Sequence, residues 1–101
     1  MTQEAKKLDS RDNVATALEQ LARGSVAQVL CDDGTHASIP LSEDVPFGFK
    51  LATRNIAAGE PILKYGEVIG VASQDIKAGA MVHVHNVDGN RARGDIQGEA
   101  K

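Results

Sequence analysis

The chain has 101 residues, 42% hydrophobic but only 3% aromatic, and a formal net charge of −3 from 11 basic and 14 acidic side chains. That length supports one core, burying roughly two-thirds of the unfolded surface, and leaves little material for the walls of a large cleft. With no run near the ~20 apolar residues that cross a bilayer, no charged-then-apolar leader, no basic stripe and no aromatic platform, it reads as a cytoplasmic protein with neither membrane nor nucleic acid as partner.

Val and Ile together outnumber Leu by 15 to 7, which leans the aliphatic core toward strands. Residues 1–10 are polar and expected to fray. Asp12 and Asn13 precede Val14, Ala17, Leu18 and Leu21, which share one face at helical spacing. The pattern predicts a short N-terminal helix over about 13–22, capped by Asp12 or Asn13 and stopped by Gly24. Val26–Cys31 and Thr35–Ile39 flank Asp33-Gly34 and predict a hairpin with a two-residue turn, both turn positions at positive φ. Phe49–Thr53 and Met81–His85 predict further strands. Residues 87–101, glycine-rich and charged, read as a polar tail or an extension toward a partner.

A repeat runs through the second half. Ala52–Ile62 aligns with Ala72–Val82 at an offset of 20 residues, and Leu21–Val26 is a weaker third copy. The shared word is aliphatic-x-x-Gly-x-x-aliphatic, which predicts short strands joined by tight corners: the aliphatic residue plugs the core and glycine takes the angle others resist.

His83 and His85 are the sharpest chemical signal. On a strand, both imidazoles leave one face with Cα atoms ~6.5–7 Å apart, a spacing at which neutral rings converge on a divalent metal. Equally, both rings can sit idle on a solvated face. Two ligands are too few for a catalytic metal, and His36 is a poor third. Lys64-Tyr65-Gly66-Glu67 offers an ammonium for a carboxylate and a phenol for proton donation; the plainer alternative is a strand ending in a glycine turn, Tyr65 in the core and Lys64 solvated. Lys50 lies near the same surface. Cys31, the only cysteine, makes no internal disulfide and no cysteine-type zinc site.

Taken in order, Asp12-Asn13-Val14-Ala15, Asp44-Val45-Pro46-Phe47-Gly48-Phe49-Lys50, Asn55-Ile56-Ala57-Ala58-Gly59, Lys64-Tyr65-Gly66-Glu67-Val68-Ile69-Gly70, Asp75-Ile76-x-Ala78-Gly79 and His83-Val84-His85-Asn86 resemble the small N-terminal region of the altronate and galactarate dehydratase family. The resemblance covers about residues 11–86. It implies a mainly β fold, a SAF-type β-clip, of which the predicted helix would be the one exception.

The family eliminates water from sugar acids to give 2-keto-3-deoxy acids, using iron or a similar divalent cation; a sister activity removes sulfite from sulfolactate. The resemblance therefore implies a small subunit, inactive alone, that works with a separate large catalytic subunit on a sugar-acid substrate. It implies His83 and His85 as metal ligands, His85, Tyr65 and Lys64 as catalytic groups, and Lys50, Asn86 and Asn13 as substrate contacts. Relatives commonly carry histidine where this chain has Phe49, a ring that neither binds metal nor moves protons. Two rival expectations stand beside the lyase: a carbohydrate-binding or assembly module, which Phe49 favours, and a purely stabilising subunit. Exposed edges of short strands also predict self-association in isolation.

Overall fold

The computed structural model describes residues 4–89. Among them are nine strands and no helix: β1 (Ala5–Lys6), β2 (Val14–Ala17), β3 (Val26–Leu30), β4 (His36–Pro40), β5 (Lys50–Ala52), β6 (Pro61–Lys64), β7 (Glu67–Ala72), β8 (Met81–Val82) and β9 (Val87–Gly89). Six form one sheet in the order β4-β3-β1-β2-β5-β8, and three form a second in the order β6-β7-β9. The mainly β expectation is met; the N-terminal helix is not.

Alternation of side chains explains how β2 and β5 join two cores. On β2, Val14 turns to a cluster containing Ile56, Ile62, Ile76 and Val82, while Ala15 turns to one containing Leu21, Val29, Val45 and Leu51. On β5, Leu51 and Ala52 divide the same way. Both strands are therefore buried on two faces, and each fully buried Leu or Ile contributes about 1.5–3 kcal/mol.

The helix was predicted from a spacing that belongs to something else. Val14–Ala17 finds β1 on one side and β5 on the other, both antiparallel. A two-turn helix has a costly nucleus and few bonds to set against that ladder. Leu18 ends up exposed, and Leu21 is buried as part of a corner rather than a stripe. Two further strands lie where no order was expected. Ala5, fully buried, anchors β1 between β2 and a parallel β3, and β9 pairs with β7 inside the stretch read as tail; residues 90–101 of that stretch lie outside the described residues. The Asp33-Gly34 turn is also longer than expected. The Gly34 N–H donates to the Cys31 carbonyl (3.0 Å) and the Cys31 N–H to the Thr35 carbonyl (2.8 Å), and only Gly34 of the two has positive φ, so Asp32-Asp33-Gly34 make a three-residue loop.

The repeat has four copies, not two and a half. Leu21–Gly24, Val45–Gly48, Ile56–Gly59 and Ile76–Gly79 each place glycine at φ between 85 and 88°. In each, the N–H after the glycine donates to the carbonyl three residues back, over 2.9–3.1 Å. These are type II turns, whose third position requires that φ. The corners dock in reciprocal pairs. Leu21 and Val45 exchange two backbone bonds of 2.9 Å, and Ile56 and Ile76 two of 2.8 Å. The acid or amide before the aliphatic residue closes the partner's corner: Asp44 accepts from the Arg23 N–H, Asn55 from Ala78 and Asp75 from Ala58, at 2.8–2.9 Å.

Candidate anion-binding site

The site is built on β5, the β6–β7 hairpin and the turn that follows β8. Lys50 opens β5, paired with Thr16 on one side and Val82 on the other. It lines a cleft of about 300 Å³ with Ile69, His83, Val84 and Val87. Ile69 is aimed there by an irregularity: Ile62 pairs with Gly70 but Leu63 pairs with Val68, leaving Ile69 as the extra residue of a bulge. Val84, 80% exposed, forms the outer lip. The Phe49 ring packs on the His83 imidazole, centroids 4.8 Å apart at 53°.

Burial pushes the Lys50 ammonium below its usual range, and the Lys64 charge pushes it further. Among the described residues neither lysine has a carboxylate partner; the ion pairs are Asp9–Arg11 and Glu60–Arg54. An unpaired ammonium, Lys50, that shares a cleft with a half-buried imidazole and feels a second positive charge is relieved by an anion.

The hairpin tip is held from beneath. Asp12, 5% exposed, accepts the N–H of Tyr65 (3.0 Å) and of Gly66 (2.8 Å). Asn13, 1% exposed, donates to the Pro61 carbonyl and accepts the Leu63 N–H, both at 2.9 Å. Neither residue caps a helix. With both ends of its amide committed to backbone, Asn13 is a fastener for β6 and not the substrate contact expected of it. Tyr65 is 65% exposed, so the alternative that put it in the core also fails. Its backbone is left-handed (φ 58°), as is that of Gly66 (72°), the geometry of a type I′ hairpin turn. The Lys64 ammonium lies 5.5 Å from the Tyr65 ring centroid, within cation–π range.

The two histidines do not share a face. The strand expected over Met81–His85 stops at Val82, and residues 83–86 form a turn. Asn86 makes that turn: its side-chain oxygen accepts the His83 N–H, its amide donates to the Met81 carbonyl, both at 2.9 Å, and it is 3% exposed. It too is a fastener, and it lines a cleft with His85. His83 stays with Lys50, whereas His85 lines a separate cleft with Glu43, Asp75 and Lys77. The strand geometry that would have brought both rings to one metal is absent. Among the described residues no three His, Cys, Asp or Glu side chains are grouped to hold a metal ion, so these donors do not fit a metal centre of this domain's own.

Residues 3–90 match the family model described as the altronate/galactarate dehydratase SAF domain. The chain belongs to that family. This SAF domain is 44% identical to altronate dehydratase of Escherichia coli over 84 residues, 83% of this chain and 16% of that protein. It is 38% identical to altronate dehydratase of Bacillus subtilis over 94 residues, 90% of this chain and 17% of that one. It is also 34% identical to (2R)-sulfolactate sulfo-lyase subunit alpha of Paracoccus pantotrophus over 58 residues, 57% of this chain and 87% of that subunit. The chain thus spans about a sixth of the length of the altronate dehydratases it matches. No helix of the SAF domain is long and apolar enough to cross a membrane, among the described residues.

Sequence reasoning found the SAF domain's cations but missed two of its supports. Asp12 was read as a helix cap, although a buried carboxylate beside Asn13 fits any cluster of free N–H groups. Ile69 gave no signal, because a bulge shows only once strands are paired. The fourth corner was legible: Asp44-Val45-x-x-Gly48 has the same form as Asp75-Ile76-x-x-Gly79.

Proposed function

We propose that this domain is the carboxylate-holding component of a lyase that acts on a sugar acid, working with a larger catalytic region carried on a separate subunit. The reaction in this reading is β-elimination of water from an altronate- or galactarate-type acid, giving a 2-keto-3-deoxy acid. Removing the proton α to a carboxylate drives negative charge onto that carboxylate as an enediolate forms. Cations placed beside it are worth more in the transition state than in the ground state.

Lys50 and Lys64 carry the reading: two ammonium groups without a carboxylate partner among the described residues, Lys50 in the cleft beside His83 and Lys64 against the Tyr65 ring. The Tyr65 phenol, exposed beside Lys64, is a hydrogen-bond donor, and His83, in the cleft with Lys50, is a second group for holding or moving a proton. A divalent cation, iron(II) or a similar ion, would be held by residues of the catalytic region, since His83 and His85 line different clefts. The domain alone is expected to be inactive.

Likeness to two sulfolactate sulfo-lyase alpha subunits, one of them spanned over 87% of its length, favours a second reading in which sulfite leaves instead of water. The carboxylate to be held is common to both. One experiment separates them. This chain replaces the matching N-terminal part of the Escherichia coli relative, and the chimera is assayed with altronate and with (2R)-sulfolactate. Turnover that falls at least ~10-fold in kcat/KM on Lys50→Ala or Lys64→Ala supports the carboxylate role. A folded chimera that turns over equally well without both lysines removes it.

A further inference from the structure

The His83 imidazole is half-buried, yet neither of its ring nitrogens makes a hydrogen bond or an ion pair among the described residues. An imidazole at a working site is commonly oriented by a bond from one nitrogen to a carbonyl or a carboxylate. Here the orientation has other sources. The register that pairs Lys50 with Val82 and Leu51 with Met81 sets Phe49 opposite His83 one step further on. The phenyl ring packs on the imidazole and also against the core cluster that contains Val45 and Leu51, so it ties the imidazole to the core. Asn86 holds the backbone from the other side. Its side chain accepts the His83 N–H and donates to the Met81 carbonyl. Its own N–H donates to the His83 carbonyl (3.0 Å), and its carbonyl accepts the Ser73 N–H (2.9 Å). Ending β8 at Val82 leaves His83 with Lys50 and sends His85 to the cleft lined by Glu43 and Asp75.

We propose that Phe49 and Asn86 are positioning residues, which together fix the His83 imidazole in the Lys50 cleft and leave both of its nitrogens for a ligand. Packing does the orienting that a hydrogen bond would otherwise do, so no nitrogen is committed to it. A neutral imidazole then accepts at one nitrogen and donates at the other, which suits a group that takes or gives a proton beside a bound acid. A second imidazole at position 49 would compete for a His83 nitrogen through a hydrogen bond or a shared ion; a phenyl ring does not. Holding the ring in place before the substrate arrives also removes its rotational freedom from the cost of the reaction. The proposal rests on the reading of this cleft as part of a lyase site and adds two residues to it, both acting through His83.

Two measurements test it. The first uses the full chain alone and needs no turnover. An imidazole packed on a phenyl ring has its ring-proton NMR shifts displaced by the ring current of that phenyl. Phe49→Leu is expected to abolish the displacement at His83, Asn86→Ala to reduce it, and Phe49→Tyr to keep it. His83 shifts indifferent to Phe49→Leu or to Asn86→Ala overturn the proposal. The second uses the chimera with the Escherichia coli relative, assayed with altronate and with (2R)-sulfolactate. His83→Gln, Phe49→Leu and Asn86→Ala are each expected to lower kcat about 10-fold or more with KM little changed, and Phe49→Tyr to recover most of the Phe49→Leu loss. His83→Gln combined with Phe49→Leu should cost no more than His83→Gln alone, because the phenyl ring acts only through the imidazole. Simple addition of the two losses, or a raised KM with kcat unchanged, overturns the proposal. Should Asn86→Ala fail to fold, Phe49→Leu still decides. Lysine-dependent turnover that is indifferent to His83→Gln would remove this proposal and leave the carboxylate reading standing. A chimera without lysine-dependent turnover would remove that reading, and the NMR shifts alone would then decide the positioning of His83.

Discussion

The Phe49 phenyl and the His83 imidazole pack 4.8 Å apart, centroid to centroid, so the nearest ring to His83 is one that cannot bind a metal. His85, two residues away in sequence, lines another cleft. Geometry therefore pairs position 49, not position 85, with His83. Phe49→His puts two imidazoles within reach of one ion, and first-row divalent ions prefer such nitrogen pairs. Zn²⁺ affinity is expected to rise at least ~10-fold over wild type, about 1.4 kcal/mol, and His85→Ala in that background to leave it unchanged. Calorimetry with Zn²⁺ checks both. A gain that disappears with His85→Ala would restore the His83–His85 pairing.

Two corner glycines with the same backbone angle should respond differently to alanine. Gly59 has φ 88° with open space where a Cβ would go; Gly79 has φ 85°, but its Cβ would run into the Pro40 carbonyl oxygen and meet Leu41 Cα at 3.0 Å. Gly59→Ala meets only the left-handed penalty, about 1–2 kcal/mol. Gly79→Ala must also push the end of β4 away, so roughly 4 kcal/mol or outright unfolding is expected. Urea unfolding of the two variants measures the difference. Equal losses would show that the corners yield more readily than their packing implies.

What the sequence made legible follows from which patterns are local. Val26–Leu30 and His36–Pro40 emerged because alternation and a glycine turn lie within a few residues. The corner word emerged because glycine's angle is a property of one residue. Val14–Ala17 was misread because its neighbours are Ala5–Lys6 and Lys50–Ala52, far away in sequence, and their ladder outweighs a local spacing that also fits a helix. The same distance hid the roles of Asp12 and Asn13, whose hydrogen-bond partners lie 48 to 54 residues on. His83 and His85 were placed on one face by a strand that Asn86 in fact ends, by folding its side chain back onto the His83 N–H. Lys50 and Lys64 were easier to single out, because a charge is a property of one residue.

Lys50 gives the cleft a pH signature. Its folded-state value lies below the ordinary 10.5, chiefly through burial and then through Lys64. Between the two values the unfolded chain binds more protons than the folded one, so stability rises with pH through that window. At pH 7, below the window, the folded protein bears the full cost of the half-buried charge. Lys50→Met keeps the stem among Ile69, Val84 and Val87 and removes that cost. The variant is expected to have a higher Tm than wild type at pH 7, an advantage that shrinks as pH climbs toward 10.5. Thermal melts from pH 7 to 10.5 check the trend; a constant difference would mean that charge is not its cause.

The last prediction comes from the one corner that departs from the pattern. Asp44, Asn55 and Asp75 each close a partner corner with a side-chain oxygen, on the N–H two residues after the partner's aliphatic residue. By the same rule Gln20, which precedes Leu21, should serve the Phe47 N–H. No such bond forms among the described residues. Glutamine is one methylene too long for the short reach that Asp and Asn make, and it loses more rotamer freedom when held. Gln20→Asp supplies the missing acceptor at an exposed site without disturbing the core, and one such bond is worth about 0.5–1.5 kcal/mol. Tm should therefore rise by roughly 2–10 °C for a domain of this size. Gln20→Ala is the control and should leave Tm nearly unchanged. If Gln20→Asp gained no more than Gln20→Ala, the four corners would not be equivalent, and the side-chain bonds at the other three would be consequences of the fold instead of contributors to it.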